Sequence, residues 1–260
     1  MKRLHLIEIE DQEWCPRVIR DALTDYLQFN LTRMQPYAPM TSILCTALER
    51  TGSRQIVDLC SGGGGPWLWL HPVLMRKGLS TSVCLTDKYP NLEAFEEWSR
   101  TTDRAIGFHA GPVDATRVPG ELEGFRTMFT AFHHFKPEQA SAVLADAVRH
   151  RRSIGVFEAT HRSVLALRLM LSTPFVVLLC TPFIRPFRWS RLFWTYLVPV
   201  LPLVILFDGL VSCLRSYSVQ ELRELTERLK TNDYNWDIGT VQSKWIPIPV
   251  TYLVGMPNTD

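Results

Sequence analysis

A run of small residues follows an acid in the first third of the chain. Asp58 ends an apolar segment, and Leu59-Cys60-Ser61-Gly62-Gly63-Gly64-Gly65 comes directly after it. Glycines let a backbone turn tightly and approach a ligand closely, and a helix after such a turn offers free N–H groups. Two further acids, Asp87 and Asp114, follow the next two apolar segments. A carboxylate after the second segment can accept both hydroxyls of a ribose, so the spacing predicts a site for a nucleotide-like cofactor.

Parallel strands would bring these residues together, and the chain alternates short apolar runs with helix-like stretches as βαβ units do. The predicted strands are residues 55–59, 82–86, 106–111, 127–131 and 153–157, with closing strands at 234–242 and 250–256. Residues 1–50 show the 3.6-residue period of an N-terminal helical extension, and residues 51–260 form the main domain. We therefore expect an α/β fold with a Rossmann-like, doubly wound, mostly parallel seven-stranded sheet.

Residues 55–159 resemble a class I S-adenosylmethionine-dependent methyltransferase. The resemblance runs through Ile56-Val57-Asp58, the glycine-rich turn, Leu85-Thr86-Asp87, Val113-Asp114-Ala115 and residues 129–135. It implies S-adenosylmethionine as cofactor and S-adenosylhomocysteine (SAH) as product. It also implies that the first acid and the glycines hold the methionine part, that Asp87 holds the ribose, and that Asp114 contacts adenine. The residues assigned to the cofactor in this way are Asp58, Cys60, Ser61, Gly62, Gly63, Gly64, Asp87, Asp114 and Ala115.

Two other nucleotide sites fit the sequence less well. No lysine follows the glycines, which argues against a phosphate-binding P-loop. A nicotinamide dehydrogenase is disfavoured because the segment of the fourth strand resembles the methyltransferase pattern. Cys60 departs from the family, which has glycine at that position, so we expect a slightly different backbone in the turn.

Three side chains near the ends of the fourth and fifth strands are the candidates for catalysis. His133 and His134 follow the fourth strand, and Glu158 follows the fifth. A base is needed only if the methyl acceptor must lose a proton, and either histidine could be that base or hydrogen-bond to substrate. The alternatives are that the histidines pack beside the cofactor and that Glu158 caps a helix or forms a salt bridge. Residues 10–14 form either a lid over the cofactor or a solvated acidic face.

Bulk composition narrows the function classes. The 260 residues carry a net charge of +2, with 46% hydrophobic and 21% charged residues, which does not suggest a nucleic-acid partner. The six cysteines are scattered without a CxxC or a metal-ligand spacing, so we expect reduced thiols and no metal site. The first residues lack an apolar run of secretory-signal length. These features favour a cytoplasmic protein.

Residues 160–217 form an apolar insertion before the last helix. The insertion contains six arginines, one acid and two long apolar runs. The closing strands must rejoin the sheet, so the insertion can cross a bilayer twice or not at all. We expect a helical hairpin on or within one leaflet, with Arg185, Arg188 and Arg191 at lipid headgroups. The alternative is a helical cap that buries its apolar faces against the sheet domain.

The sequence therefore predicts a methyltransferase that acts on a lipid or another hydrophobic small molecule at the cytoplasmic side of a membrane. The alternatives are a soluble cytoplasmic small-molecule methyltransferase with a hydrophobic lid, and a non-catalytic, membrane-attached module that binds the cofactor. The sequence does not predict the acceptor atom or the oligomeric state.

Overall fold

The structure, a computed structural model, describes residues 1–229, 231–242 and 247–258. A seven-stranded sheet forms its centre, with strand order β3-β2-β1-β4-β5-β7-β6. The strands are β1 (Gln55–Asp58), β2 (Ser82–Leu85), β3 (Ile106–Phe108), β4 (Phe125–Phe129), β5 (Ile154–Glu158), β6 (Tyr234–Val241) and β7 (Val250–Pro257). Strands β1 to β5 are parallel, and β7 lies antiparallel between β5 and β6. The predicted mostly parallel seven-stranded sheet is confirmed.

Helices cover both faces of the sheet, and the chain begins with the expected helical region. The helices are α1 (Arg17–Met34), α2 (Thr41–Thr51), α3 (Trp67–Arg76), α4 (Leu92–Thr101), α5 (Pro137–Arg149), α6 (Val164–Met170), α7 (Thr173–Cys180), α8 (Trp189–Leu192), α9 (Val200–Arg215) and α10 (Val219–Glu227). Strand β4 begins and ends two residues before its predicted bounds. A short 3₁₀ turn, Phe132–His134, therefore follows β4 and carries both candidate histidines.

The hydrophobic core that packs on the sheet has two parts, one on each face. Ile56 belongs to the part packed by α2, α3 and α4, whereas its neighbour Val57 belongs to the part packed by α5 and α10. Both side chains are fully buried. Successive residues of a strand point to opposite faces, so a sheet covered on both sides reads as a continuous apolar run. This arrangement leaves the carboxyl edge of the parallel strands free for a site.

The apolar insertion folds into α6 to α9. Helical stretches Trp189–Leu197 and Val200–Arg215 meet at an angle of 84°, at a break that contains Pro199. The stretch Val164–Phe183 is long and apolar enough to cross a membrane, with mean hydropathy 2.0, and only 17% of its most apolar window is buried. Helix α9 packs against α7 and α1. The insertion thus lies against the sheet domain through α9 and leaves much of its apolar surface exposed.

The expected position of the arginines at lipid headgroups is wrong for two of the three. Arg191 is buried, and its guanidinium lies 2.6 Å from Asp25 of α1. Arg188 pairs with the same carboxylate at 3.0 Å and with Glu93 of α4 at 2.6 Å. Only Arg185 is exposed. A buried guanidinium needs a counter-ion, and the acids of α1 and α4 provide it inside the protein.

Candidate active site at the carboxyl edge of the sheet

A cavity of about 510 Å³ lies where the carboxyl ends of the parallel strands meet the first residues of the chain. We call residues 1–15 the N-terminal strap, since they run across this edge. The cavity is lined by the glycine-rich turn, Asp87, the segment after β4, helix α1 and the strap. Its volume lies in the range of about 300–1,000 Å³ that is usual for small-molecule and cofactor sites.

The glycine-rich turn forms one wall of the cavity. Cys60 has φ of +56°, and Gly62 has the same value. Cys60 therefore adopts the left-handed conformation that glycine favours, at a cost of about 1–2 kcal/mol. The turn thus accommodates the thiol side chain of Cys60 at a left-handed backbone. Gly63 packs so closely on α1 that a Cβ atom there would lie 2.6 Å from the carbonyl oxygen of Thr24.

Asp58 is buried behind this turn, stabilises it through hydrogen bonds and does not line the cavity. Its Oδ2 accepts a hydrogen bond from Ser61 Oγ at 2.7 Å, and its Oδ1 accepts one from Thr127 Oγ1 at 2.6 Å. Burial raises the pKa of Asp58 to about 7, and the two hydroxyl donors oppose that rise. Ser61, which does line the cavity, is therefore held in place by Asp58.

Asp87 lies at the tip of β2 and faces the cavity. Its Oδ2 accepts the amide hydrogen of Gly62 at 2.8 Å, and its Oδ1 accepts that of Tyr89 at 2.8 Å. Burial raises the pKa of this carboxyl, and the two amide donors oppose the rise. Asp114, which the resemblance assigned to adenine, is exposed and does not line the cavity; its Oδ1 accepts hydrogen bonds from the amide and the hydroxyl of Thr116. Ala115, also assigned to the cofactor, is buried and does not line the cavity either.

The two neighbouring histidines have different surroundings. His133 is buried away from the cavity, and its Nδ1 lies 2.7 Å from Glu158 Oε2. The other oxygen of Glu158 accepts the amide hydrogens of Ala131 and Phe132 at 3.0 and 2.7 Å. Burial alone would raise the pKa of Glu158, but His133 and the hydrogen bonds lower it. Glu158 therefore positions the 3₁₀ turn and does not reach the cavity.

His134 lines the cavity and is held by acids of the strap. Its Nδ1 lies 2.8 Å from Asp11 Oδ1 and 2.9 Å from Glu8 Oε2. Its Nε2 lies 3.7 Å from Glu10 Oε1, on a side chain that also faces the cavity. Burial alone would lower the pKa of His134, but Glu8 and Asp11 outweigh it and hold the pKa well above the usual value. Burial raises the pKa of Glu10 to about 8.

Helix α9 fixes the strap over the cavity. Asp208 accepts the amide hydrogens of Ile9 and Glu10 at 2.8 and 3.2 Å. Arg215 reaches Asp11 Oδ2 at 2.9 Å and Glu8 Oε2 at 3.3 Å, and it also donates to the carbonyls of His133 and His134. Residues 10–12 therefore line the cavity as the lid interpretation expected, whereas Glu13 and Trp14 are exposed.

Sequence reasoning missed Glu8, Arg20, Asp208 and Arg215. Arg20 of α1 lines the cavity and donates to the carbonyls of Glu10 and Gln12, so it too holds the strap. The only local indication was that Asp208 interrupts an apolar helix and Arg215 ends it, where an unpaired charge would be costly. Nothing in the sequence identified the partners of these side chains, and those in the strap lie about 200 residues away.

No protein-family model and no curated protein matches the sequence. Among solved structures, the chain is similar to the plantazolicin methyltransferase BpumL in complex with SAH, with TM-score 0.56, 11% identity and coverage of 93% of this chain and 96% of that one. A protein of Nostoc punctiforme assigned as an O-methyltransferase gives TM-score 0.50 and 12% identity over 89% of this chain and 59% of that one. A protein of Rhodobacter sphaeroides assigned as a zinc-dependent alcohol dehydrogenase gives TM-score 0.53 and 12% identity, over 93% and 98%. At such identities the likeness shows a shared fold, as the sequence resemblance implied.

Proposed function

We propose that this chain, which has the fold of class I S-adenosylmethionine-dependent methyltransferases, transfers a methyl group from that cofactor to a lipid or another hydrophobic small molecule. The observation that carries the proposal is the cavity itself. The glycine-rich turn and Asp87 form one part of its wall, and His134 and Glu10 form another. A cofactor site and candidate groups for an acceptor thus face the same space, as a transfer reaction requires.

The residues of the turn fit S-adenosylmethionine. Cys60, Ser61, Gly62 and Gly63 line the cavity, so a ligand would meet backbone and small side chains there. Asp87 would accept the ribose hydroxyls, while Asp58 keeps Ser61 in place. Bound S-adenosylmethionine supplies a methyl group on a sulfonium, which leaves by in-line displacement.

His134 would act on the methyl acceptor as a hydrogen-bond donor. Because Glu8 and Asp11 raise its pKa, His134 keeps its proton at neutral pH and donates through Nε2. Glu10 Oε1 lies 3.7 Å from that nitrogen and Glu10 lines the cavity, so its ionised form would take the proton of a hydroxyl acceptor. Because burial raises the pKa of Glu10 to about 8, this form increases as pH rises through 8. The strap covers this part of the cavity, and Arg20 holds the strap through the carbonyls of Glu10 and Gln12.

A dehydrogenase is a less suitable assignment for the same fold. The doubly wound sheets that bind dinucleotides have strand order 3-2-1-4-5-6. Here β7 lies antiparallel between β5 and β6.

The membrane part of the proposal is supported by the insertion. Most of the exposed large apolar side chains in the described part of the chain lie between residues 164 and 207, including Phe175, Leu179, Phe183 and Trp189. Exposed apolar patches of this kind mark binding sites for membranes or other partners. Because Arg191 is buried against α1, the insertion would lie on one leaflet, not across the bilayer. All six cysteines are free, which suits the cytoplasmic side.

Methyl transfer to membrane lipids tests the proposal. Full-length protein is incubated with methyl-labelled S-adenosylmethionine and fractionated membrane lipids, and the labelled product is identified by mass spectrometry. We expect label in an organic-soluble product with the wild type and at least a tenfold loss with Asp87→Ala. The matched control Asp233→Ala changes an exposed acid far from the cavity and should keep full activity. Cofactor binding without any labelled acceptor would favour the non-catalytic module instead.

A further inference from the structure

Two histidines and a carboxylate from distant parts of the chain meet beside the cavity. His133 and His134 come from the turn after β4, and Glu8 comes from the N-terminal strap. Their ligand-type atoms all lie within 4.8 Å of one another. Glu8 Oε1 lies 3.7 Å from His133 Nε2, and Glu8 Oε2 lies 2.9 Å from His134 Nδ1. Ligands at about 2.0–2.2 Å from one metal ion are separated by roughly 3–4 Å, so these spacings suit a shared ion.

The cluster contains buried polar atoms without a well-formed hydrogen bond. Within the described ranges, His133 Nε2 is inaccessible and has no hydrogen-bond partner. Glu8 Oε2 is also inaccessible and forms ion pairs with His134 and Arg215 at 2.9 and 3.3 Å, but no hydrogen bond of good geometry. His133 is 1% exposed and Glu8 is 0% exposed. An unsatisfied buried polar atom costs about 1–3 kcal/mol, and more when the group is charged. A bound cation would satisfy both atoms at once.

His133 also has the second partner that a metal-binding histidine requires. Its Nδ1 lies 2.7 Å from Glu158 Oε2, which leaves Nε2 as the atom directed at Glu8. Histidine ligands usually donate their other ring nitrogen to a carboxylate or carbonyl, which fixes the tautomer and orients the ring. Glu158 would therefore have two roles: it caps the 3₁₀ turn, and it orients the ring of His133 for metal binding.

The local charge favours a cation. Four acidic side chains lie within 4 Å of the two imidazoles: Glu8, Glu10, Asp11 and Glu158. Arg215 lies 3.3 Å from Glu8 Oε2 and 2.9 Å from Asp11 Oδ2, and it balances part of this charge. Arg3 also approaches the cluster and donates to the carbonyl of His133 at 3.2 Å. Four acids against two arginines leave an excess of negative charge around the uncharged imidazoles.

We infer that Glu8, His133 and His134 bind a divalent transition-metal ion. Two imidazole nitrogens and one carboxylate suit Zn²⁺ and its first-row neighbours better than Mg²⁺ or Ca²⁺, which prefer oxygen ligands. The ion replaces the proton of His134 Nδ1, so that Nε2 still carries its hydrogen toward the cavity. Three protein ligands leave a coordination position for water or for an oxygen atom of the methyl acceptor.

Zinc titration of the full-length protein tests this site without methyl donor or acceptor. Protein treated with a chelator and then freed of it is titrated with Zn²⁺ at pH 7.5 in a calorimeter. We expect one Zn²⁺ per chain with Kd below about 1 μM, and at least tenfold weaker binding by Glu8→Gln and His133→Gln. His150→Gln, at a partly exposed histidine outside the cluster, should bind Zn²⁺ like the wild type.

Further outcomes distinguish a specific metal site from nonspecific binding of Zn²⁺. No binding by the wild type, or equal binding by wild type, Glu8→Gln and His133→Gln, would overturn the inference. If Glu8→Gln does not fold, Glu158→Gln replaces it, and ten- to hundredfold weaker binding is then expected because the support of His133 is lost. S-adenosylmethionine affinity is measured on the same preparations, so a failed metal site remains distinct from a failed cofactor site.

Discussion

Arg191 of the apolar insertion and Asp25 of α1 form a buried ion pair with a separation of 2.6 Å. The pair joins residues 166 positions apart in the chain. Arg191 Nη2 also donates to the carbonyl of Ile184 at 2.8 Å, so the turn of the insertion is fixed to the domain that carries the cavity. Arg191 therefore lies on the same side of the insertion as the sheet domain.

Removal of Asp25 should be strongly destabilising. Asp25→Ala leaves Arg191 buried without its carboxylate, and loss of one partner of a buried pair costs about 3–5 kcal/mol. We expect a decrease of this size in the free energy of unfolding, measured by urea denaturation. Arg17→Ala is the control, because Arg17 is exposed and lies 3.5 Å from Asp21, and it should cost less than about 1 kcal/mol. Equal stabilities of the two variants would show that the insertion is not held by this pair.

Membrane binding should depend on apolar contact more than on charge. Phe175 and Leu179 of α7 and Phe183 of the 3₁₀ turn after it are 69%, 73% and 67% exposed, and all three lie in the apolar stretch Val164–Phe183. We expect replacement of all three by serine to reduce vesicle flotation at least tenfold, since each buried side chain is worth about 1.5–3 kcal/mol. Met34→Ser, at an equally exposed residue of α1, should float like the wild type.

Salt supplies a second check on the same surface. Arg188 and Arg191 are already paired with acids of the protein, so they add little attraction for anionic headgroups. Flotation should therefore persist in 0.5 M salt, at which charges are screened within roughly 3–5 Å. Flotation that depends on anionic lipid and disappears in salt would contradict this account of the insertion.

Stability should depend on pH through Asp58. Its pKa of about 7 in the folded protein lies above the ordinary aspartate value, so the folded state holds the proton more tightly than the unfolded state does. Asp58 therefore contributes most stability below about pH 4, and this contribution is lost as pH rises through 7. Asp58→Asn removes the titration, so its stability relative to wild type should increase by up to about 4 kcal/mol between pH 4 and 8. A difference that stays constant over this range in urea denaturation would exclude the raised pKa.

Gly63 provides a steric test of the turn. A Cβ atom there would lie 2.6 Å from the carbonyl oxygen of Thr24, so Gly63→Ala must push α1 away from the cavity. We expect a loss of about 1–3 kcal/mol in the free energy of unfolding, together with weaker cofactor binding. Gly120→Ala is the control, because its Cβ would meet open space. A Gly63→Ala protein as stable as Gly120→Ala would show that α1 does not rest on the turn.

The sheet could be predicted because each strand is indicated by residues that are neighbours in the sequence. Strand β1 reads as a short apolar run that ends in Asp58, and the small residues after it show that backbone must come close to something. The separate environments of His133 and His134 were not predictable, because adjacent residues after a strand carry no pattern that shows which one faces a cavity. Asp208 contacts Ile9 and Glu10, which are 199 and 198 residues away in the sequence. The spacing of apolar residues along the chain carries no information about contacts at such separations.

The most direct test of the proposed function is calorimetric titration of the full-length protein with S-adenosylmethionine. Asp87 is the carboxylate placed to accept ribose hydroxyls, and each hydrogen bond to a charged group contributes about 1.5–3 kcal/mol. We predict one bound cofactor per wild-type chain, and affinity at least tenfold lower for Asp87→Ala and unchanged for Asp233→Ala. A wild-type protein that binds neither S-adenosylmethionine nor SAH, or an Asp87→Ala protein that binds as tightly as the wild type, would contradict the assignment of this cavity.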